Sequence, residues 1–346
     1  MIVHPSGVAV PRRPIRTATR AAAVAAVLTG AVACGGGAEP DAPTSGGGDG
    51  AWPVTIANKF GTTEIPAEPE RVVTVGFNDQ DFVLALGVSP VGVRANLGDY
   101  DVENRPWAQE QLAGVAELPT VGGQEIDVEA VAALQPDLII GVYSFMDQAT
   151  YDQLSGIAPT LAQTDEYTDG ATPWQEQTLL TGEALGREDE AQELVDEVER
   201  QFADAAERNP DFDGQALVVD FAGVAGSAHY LFGTDDLRTQ FFTDLGFDVA
   251  DTSTEVSPER LDLLDQDVLI GGGYPEDEGL TDPLFAGLDV VSQDRTVYLG
   301  GYDGDVMGAL GYGSPLSLPY LLEQLVPPLA QAADGDPATA VEQPTV

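Results

Sequence analysis

The sequence predicts an α/β protein built as two similar halves joined by a long helix. Short strands rich in Val and Ile alternate with amphipathic helices over residues 54–162 and again over 216–325, the grammar of a mostly parallel sheet covered on both faces. The halves share a pattern: IDVEAVAALQPDLIIG at 126–141 matches VSPERLDLLDQDVLIG at 256–271. In each, a glutamate near a helix start leads through apolar residues at helical spacing into a buried strand, which an internal repeat and generic αβ grammar would both produce. Between the halves lies the most helical stretch of the chain, residues 172–209.

In order, residues 54–66 alternate about Gly61 as a β-hairpin does. A strand follows at 71–76, then a helix at 79–87 carrying Phe82, Val83, Leu84 and Leu86, then a short strand at 91–94. After a polar loop with Trp107, a helix at 127–134 leads through Pro136 into a strand at 137–142; a helix at 151–158 and a strand at 160–162 close the half. The middle comprises a helix at 172–185, with Pro173 in its first turn and Gly186 at its end, and another at 188–209, stopped by Pro210. At 1.5 Å per residue the second spans about 33 Å, enough to bridge two lobes as a strut that restricts bending. In the second half we expect strands at 216–221, 267–271 and 296–299, and helices at 237–246, 258–264 and 315–325.

The N-terminus has a different character. Residues 1–33 carry Arg12, Arg13, Arg16 and Arg20, no acid, and an apolar run at 21–33. That run is too short to cross a bilayer as a helix, which takes about 20 residues, and reads as an export signal. It ends in small residues before Cys34, the only cysteine; this arrangement resembles a bacterial lipobox, in which the thiol is lipidated and the preceding segment removed. Residues 35–51 lack large apolar side chains and form a flexible tether. The expected division is a signal at 1–33, lipidated cysteine and linker at 34–51, one α/β lobe at 52–171, connecting helices at 172–210, a second lobe at 211–330 and a disordered tail at 331–346. The body would then sit on the outer face of the cell membrane, held by lipid alone.

Composition excludes several functions. Without residues 1–33 the chain has 10 basic side chains against 58 acidic ones, which excludes nucleic acid and anionic headgroups as partners of the body. With Cys34 modified no free thiol remains, and His229 is the only histidine left; a dedicated zinc or haem–thiolate centre needs more. His229 reads as a hydrogen-bonded structural residue. Neither G-x-S-x-G nor G-x-x-x-x-G-K-[ST] occurs, so no catalyst is visible and we expect a binding protein rather than an enzyme.

The segments EPERVVTVGF, DFVLALGVSPVGVR, VGGQEIDVEAVAALQPDLIIGVYS, YDQLSGIAPTLA, TPWQEQTLLTGEALG and SPLSLPYLLEQLVPPL resemble, in order and over most of residues 54–330, the extracytoplasmic solute-binding proteins of iron–siderophore ABC importers, class III periplasmic binding proteins. The resemblance implies two Rossmann-like lobes joined by a long rigid helix, a ligand cleft between them, a monomer, and delivery of a ferric siderophore to a permease. It also extends to haem and corrinoid receptors; a secreted hydrolase is the reading from another class. It carries over two permease-docking glutamates, Glu129 in DVEAV and Glu259 in SPERL, whose bland reading is an acid in a helix's first turn.

Ligands in such lobes gather beyond the carboxyl ends of strands. That selects Phe77, Asn78, Arg94, Tyr143, Ser144 and Phe145 in the first lobe, with Gln124 near where some relatives place an arginine that grips hydroxamates. Tyr230, Phe232, Arg238, Tyr274 and Tyr302 are the candidates from the second. Arg71, Arg187, Arg200 and Arg208 sit in structural or solvated contexts, so few cations remain for the cleft. A trianionic ferric tris-catecholate would want an arginine cluster; a neutral or cationic ferric hydroxamate of ferrioxamine type would not. The siderophore itself would supply the oxygens that hold the iron; the resemblance implies no other cofactor and no protein metal ligand.

Overall fold

In a computed structural model of the protein, residues 52–95, 104–115, 118–222 and 228–345 are described. The expected signal at 1–33 and the tether at 34–51, with Cys34, lie outside them. The expected hairpin is present: β1 (Val54–Asn58) pairs antiparallel with β2 (Gly61–Ile65), and Ile56 and Ile65 turn inward.

The first lobe is built on a parallel sheet of β3 (Val72–Thr74), β4 (Leu138–Gly141) and β5 (Thr160–Ala162), in that order. Its two-residue period sorts the core. Val72, Leu138, Ile140 and Leu161 pack on one face, while Val73, Ile139 and Ala162 pack on the other. The expected strand at 91–94 is reduced to single bridges, Val73 to Gly92 and Val93 to Thr120. Helices α1 (Asp79–Ala85), α2 (Gln109–Leu112), α3 (Val128–Ala133) and α4 (Gln148–Ser155) complete the lobe. Asp127 and Asp147 cap α3 and α4 by accepting from the backbone N–H of Ala130 (3.0 Å) and Thr150 (2.8 Å).

Helix α5 (Trp174–Leu185) ends at Gly186, whose φ of 66° closes it as a left-handed cap. Helix α6 (Glu188–Arg208) is the strut. Its Ala191 packs into the first lobe's core, and Val195, Val198, Phe202 and Ala205 into the second's.

The second lobe keeps a mostly parallel sheet and departs from it by one reversed strand, His229–Phe232. Strands β11 (Thr296–Tyr298), β10 (Val268–Gly272) and β6 (Ala216–Phe221) are parallel neighbours, and β8 (Asp248–Val249) pairs parallel with β6. On the other side β7 (His229–Phe232) and β9 (Thr254–Val256) run antiparallel to their neighbours. Helices α7 (Gln240–Asp244), α8 (Glu276–Gly279), α9 (Asp289–Ser292), α10 (Asp305–Gly311) and α11 (Ser317–Ala332) surround this sheet. The expected helix at 258–264 is a 3₁₀ segment, Pro258–Leu263.

The tail expected to be disordered is instead docked through residue 345. Gln343 accepts from the N–H of Tyr298 (2.7 Å) and donates to the carbonyl of Thr296 (3.0 Å), serving the open edge of β11, and Val341 is buried. Among the described residues no helix is long and apolar enough to cross a membrane.

Candidate functional site

Between the lobes, where β3, β4 and β6 end, lies a cleft of about 650 Å³, within the range of small-molecule sites. Phe77, Asn78 and Tyr143 line it from the first lobe, Trp174 and Gln177 at the head of α5 from behind, and Arg238, Tyr302 and Tyr312 from the second lobe.

Phe77 and Tyr143 form the aromatic part of the first-lobe wall, and Phe145, which does not line the cleft, packs against Tyr143 from outside it. Phe77 and Phe145 each lie against Tyr143, with ring centroids 6.1 and 5.3 Å away. Phe145 is 51% exposed and its φ is +55°, a conformation that bulky residues avoid and that clusters at binding sites. Gly170 lies beneath it at φ +79°, where a Cβ would come within 2.7 Å of the Phe145 ring.

Arg94 is not a cleft ligand, contrary to expectation. Its guanidinium is buried and donates to four carbonyls: Gly123 (2.7 Å), Gln124 (2.6 Å), Val75 (3.1 Å) and Ser144 (2.9 Å). The ring of Phe77 lies over it at 4.0 Å. Burial lowers its pKa, opposed by the charge of Asp79. Arg94 therefore splints the loops that carry Phe77 and Ser144. The Ser144 hydroxyl is likewise committed, to the carbonyl of Gly141 (2.8 Å). Gln124 is exposed and offers its backbone carbonyl to Arg94, and its side chain does not line the cleft.

In the second lobe Arg238 stacks on Phe232 at 4.0 Å and lies 5.3 Å from the Phe221 ring. Asp236 grips it through two bonds of 2.7 Å each. Burial disfavours its charge, but the bonds and charge of Asp236 outweigh burial, so its pKa is raised. Phe232 thus lies beneath Arg238 rather than in the cleft. Tyr302 is half exposed; its hydroxyl donates to the carbonyl of Ala222 (2.6 Å), and its ring covers Gly273, another glycine of positive φ. Tyr230 packs on Phe232 and does not line the cleft.

Tyr274 is also removed from the candidates. It is buried and donates to Asp220 (3.0 Å), whose carboxylate also meets His229 Nδ1 at 2.7 Å. His229 stacks on Phe285 at 5.1 Å, the structural role its sequence context suggested. Burial raises the pKa of both Tyr143 and Tyr302, with Arg238 opposing; at neutral pH both offer hydroxyls, not phenolates. Among the described residues no three His, Cys, Asp or Glu side chains are placed to hold a metal ion.

Sequence reasoning missed Trp174, Gln177, Asp235, Asp236, Asp244 and Tyr312, all of which line the cleft. Asp235 and Asp236 follow β7, a strand the sequence did not mark, and the others follow no strand, so the strand-end rule did not reach them; the glycines at 308, 311 and 313 around Tyr312 were the available hint. Glu129, in the first turn of α3, and Glu259, at the start of Pro258–Leu263, are both exposed. The pKa of Glu259 is lowered by hydrogen bonds from its own N–H and from Ser257.

A family model described as "Periplasmic binding protein" matches residues 75–299. The chain is similar to a periplasmic solute binding protein from Mycobacterium smegmatis of known structure, at 34% identity and a TM-score of 0.72, over 81% of this chain and 99% of that one. Among curated proteins it is 29% identical over 212 residues to the Bacillus subtilis protein named "Probable siderophore-binding lipoprotein YfiY", spanning 60% of this chain and 61% of that one. It is 28% identical over 246 residues to the ferric enterobactin-binding periplasmic protein FepB of Escherichia coli, spanning 68% of this chain and 75% of that one.

Proposed function

The chain belongs to the periplasmic binding protein family, and we propose that it captures a ferric siderophore outside the cell and delivers it to an ABC permease. In this reading Cys34 carries the lipid anchor, Glu129 and Glu259 orient the protein on the permease, and the protein acts by binding, without catalysis. The iron arrives already chelated and takes no ligand from the protein.

The relatives bind chelates of different chemistry, so membership does not name the ligand. We favour a neutral or cationic ferric hydroxamate. One observation carries this: Arg238, the cationic side chain lining the cleft among the described residues, is already paired with Asp236, and Asp169 with Lys59, while Asp235 and Asp244 also line it. A trianionic chelate would meet a surplus of like charge there, and the aromatic walls suit the apolar arms of a hydroxamate. A haem receptor would need an axial ligand, and with His229 bound to Asp220 outside the cleft lining that role would fall to a cleft tyrosine, Tyr143, Tyr302 or Tyr312.

Calorimetric titration with ferrioxamine B, ferrichrome, ferric enterobactin, haem and cobalamin tests the reading. A hydroxamate complex should bind below micromolar, about −8 kcal/mol or better. Tighter binding of haem or cobalamin than of any ferric siderophore would reject it.

A further inference from the structure

Asp236 and Arg238 are two residues apart, and the chain fixes both. Besides its two bonds to the guanidinium, Asp236 Oδ1 accepts the backbone N–H of Arg238 at 3.0 Å, capping the turn Leu237–Thr239. The guanidinium is held from the other side by Phe232 at 4.0 Å. Neither partner can turn away without giving up a cap or a stacking surface. Nε and Nη2 are the side-on pair of donors with which arginine grips a carboxylate or catecholate, and Asp236 occupies both, leaving only the end-on N–H groups at Nη1 and Nη2. The pair is only partly shielded, with side chains 29% and 24% exposed, so a ligand in the cleft reaches it.

We propose that Asp236 sets the charge selectivity of the cleft: by filling the fork of Arg238 it rejects anionic ferric chelates and admits neutral and cationic ones. An anion reaching Arg238 must displace a tethered carboxylate or lie beside it, whereas a cation meets the outer face of that carboxylate. A unit charge several ångströms from the ligand, partly screened by solvent and salt, is worth about tenfold in affinity. This rests on the siderophore reading but names the residue that enforces it.

The test uses one iron-binding core in three charge states: ferrioxamine B with its amine free (cationic), acetylated (neutral) and succinylated (anionic). The wild type should bind the first two about tenfold or more tighter than the third. Asp236→Asn keeps the Oδ1 cap acceptor but not the charge, and should bring the succinylated form to within about threefold of the acetylated one. Adding Arg238→Gln should abolish that gain, because the freed fork is its source. Asp236→Ser, which also retains a cap acceptor, is the second variant should the first fail to fold. A wild type indifferent to charge, or a variant that keeps the wild-type ratio, overturns the proposal while leaving the siderophore reading intact. A wild type that binds none of the three overturns both.

Discussion

Ser314, at the entrance to α11 in the second lobe, donates its hydroxyl at 3.2 Å to Asp81 in α1 of the first. The same carboxylate accepts from Trp107 Nε1 (2.7 Å) and pairs with Arg105 Nε at 2.8 Å, both charged side chains being almost wholly buried. Around this network Phe82, Leu84 and Trp107 join the second lobe's core, so the lobes are fastened behind the cleft as well as by the strut. Asp81→Ala breaks the buried ion pair with Arg105 and should cost about 3–5 kcal/mol. Ser314→Ala leaves Asp81 its other partners and should cost about 1 kcal/mol. Denaturant midpoints with unchanged slope measure both; equal costs would contradict the assignment.

Phe145 concentrates strain beside the cleft, packed on the lining residue Tyr143. Phe145→Gly removes a half-exposed ring from a backbone of φ +55° that glycine adopts freely. The melting temperature should hold or rise, while affinity for the ferric ligand falls as the lining residue Tyr143 loses the ring packed beside it. A stable variant with wild-type affinity would show that Phe145 does not support the site.

Asp79 supplies a pH dependence. Burial pushes its pKa up from 3.8 to about 6, against the pull of the backbone N–H of Tyr143 and the charge of Arg94. Between these values the unfolded chain has released a proton that the folded chain keeps, so this group's stabilising contribution is full below 3.8 and is lost as pH rises through about 6. The total is about 3 kcal/mol. Asp79→Asn cannot titrate, and its stability relative to wild type should climb from about pH 4 to pH 7 by that order. Parallel stability curves for the two proteins would refute the shift.

Reversing the charge at Glu129 and Glu259 together should abolish uptake of the ferric ligand into cells and leave its affinity for the purified protein unchanged. Rim charges of this kind govern docking orientation and encounter rate. Undiminished uptake would return both residues to their role as first-turn acids.

Where burial and period agree, the fold was legible. The Val/Ile runs of β3, β4, β6, β10 and β11 and the apolar stripe of α6 all appear close to their expected bounds. β7 and β9 were not: His229–Phe232 is only half buried at His229 and Tyr230, and Thr254–Val256 buries Val256 alone, so neither carries the Val/Ile run that marks a buried strand. α10 hid in a glycine-rich stretch, and the tail is fixed by Gln343 on a strand edge together with Val341 and Glu342, whose N–H groups bond to Asp294 and Gln331. At the site, aromatic residues at strand ends were found by rule. Arg94 misled because the same rule cannot foresee four carbonyls converging on its guanidinium. Asp236 gave no signal, since one acid among 58 is distinguished only by the arginine it meets.

Trp174 lines the cleft, whereas Trp52 and Trp107 do not, which makes its emission the most direct test of ligand capture between the lobes. Titration with a ferric hydroxamate should quench it saturably below micromolar concentration, and Trp174→Phe should remove most of the amplitude while the fold persists. Emission unmoved by every ferric chelate, or a quench unchanged in Trp174→Phe, would contradict the account.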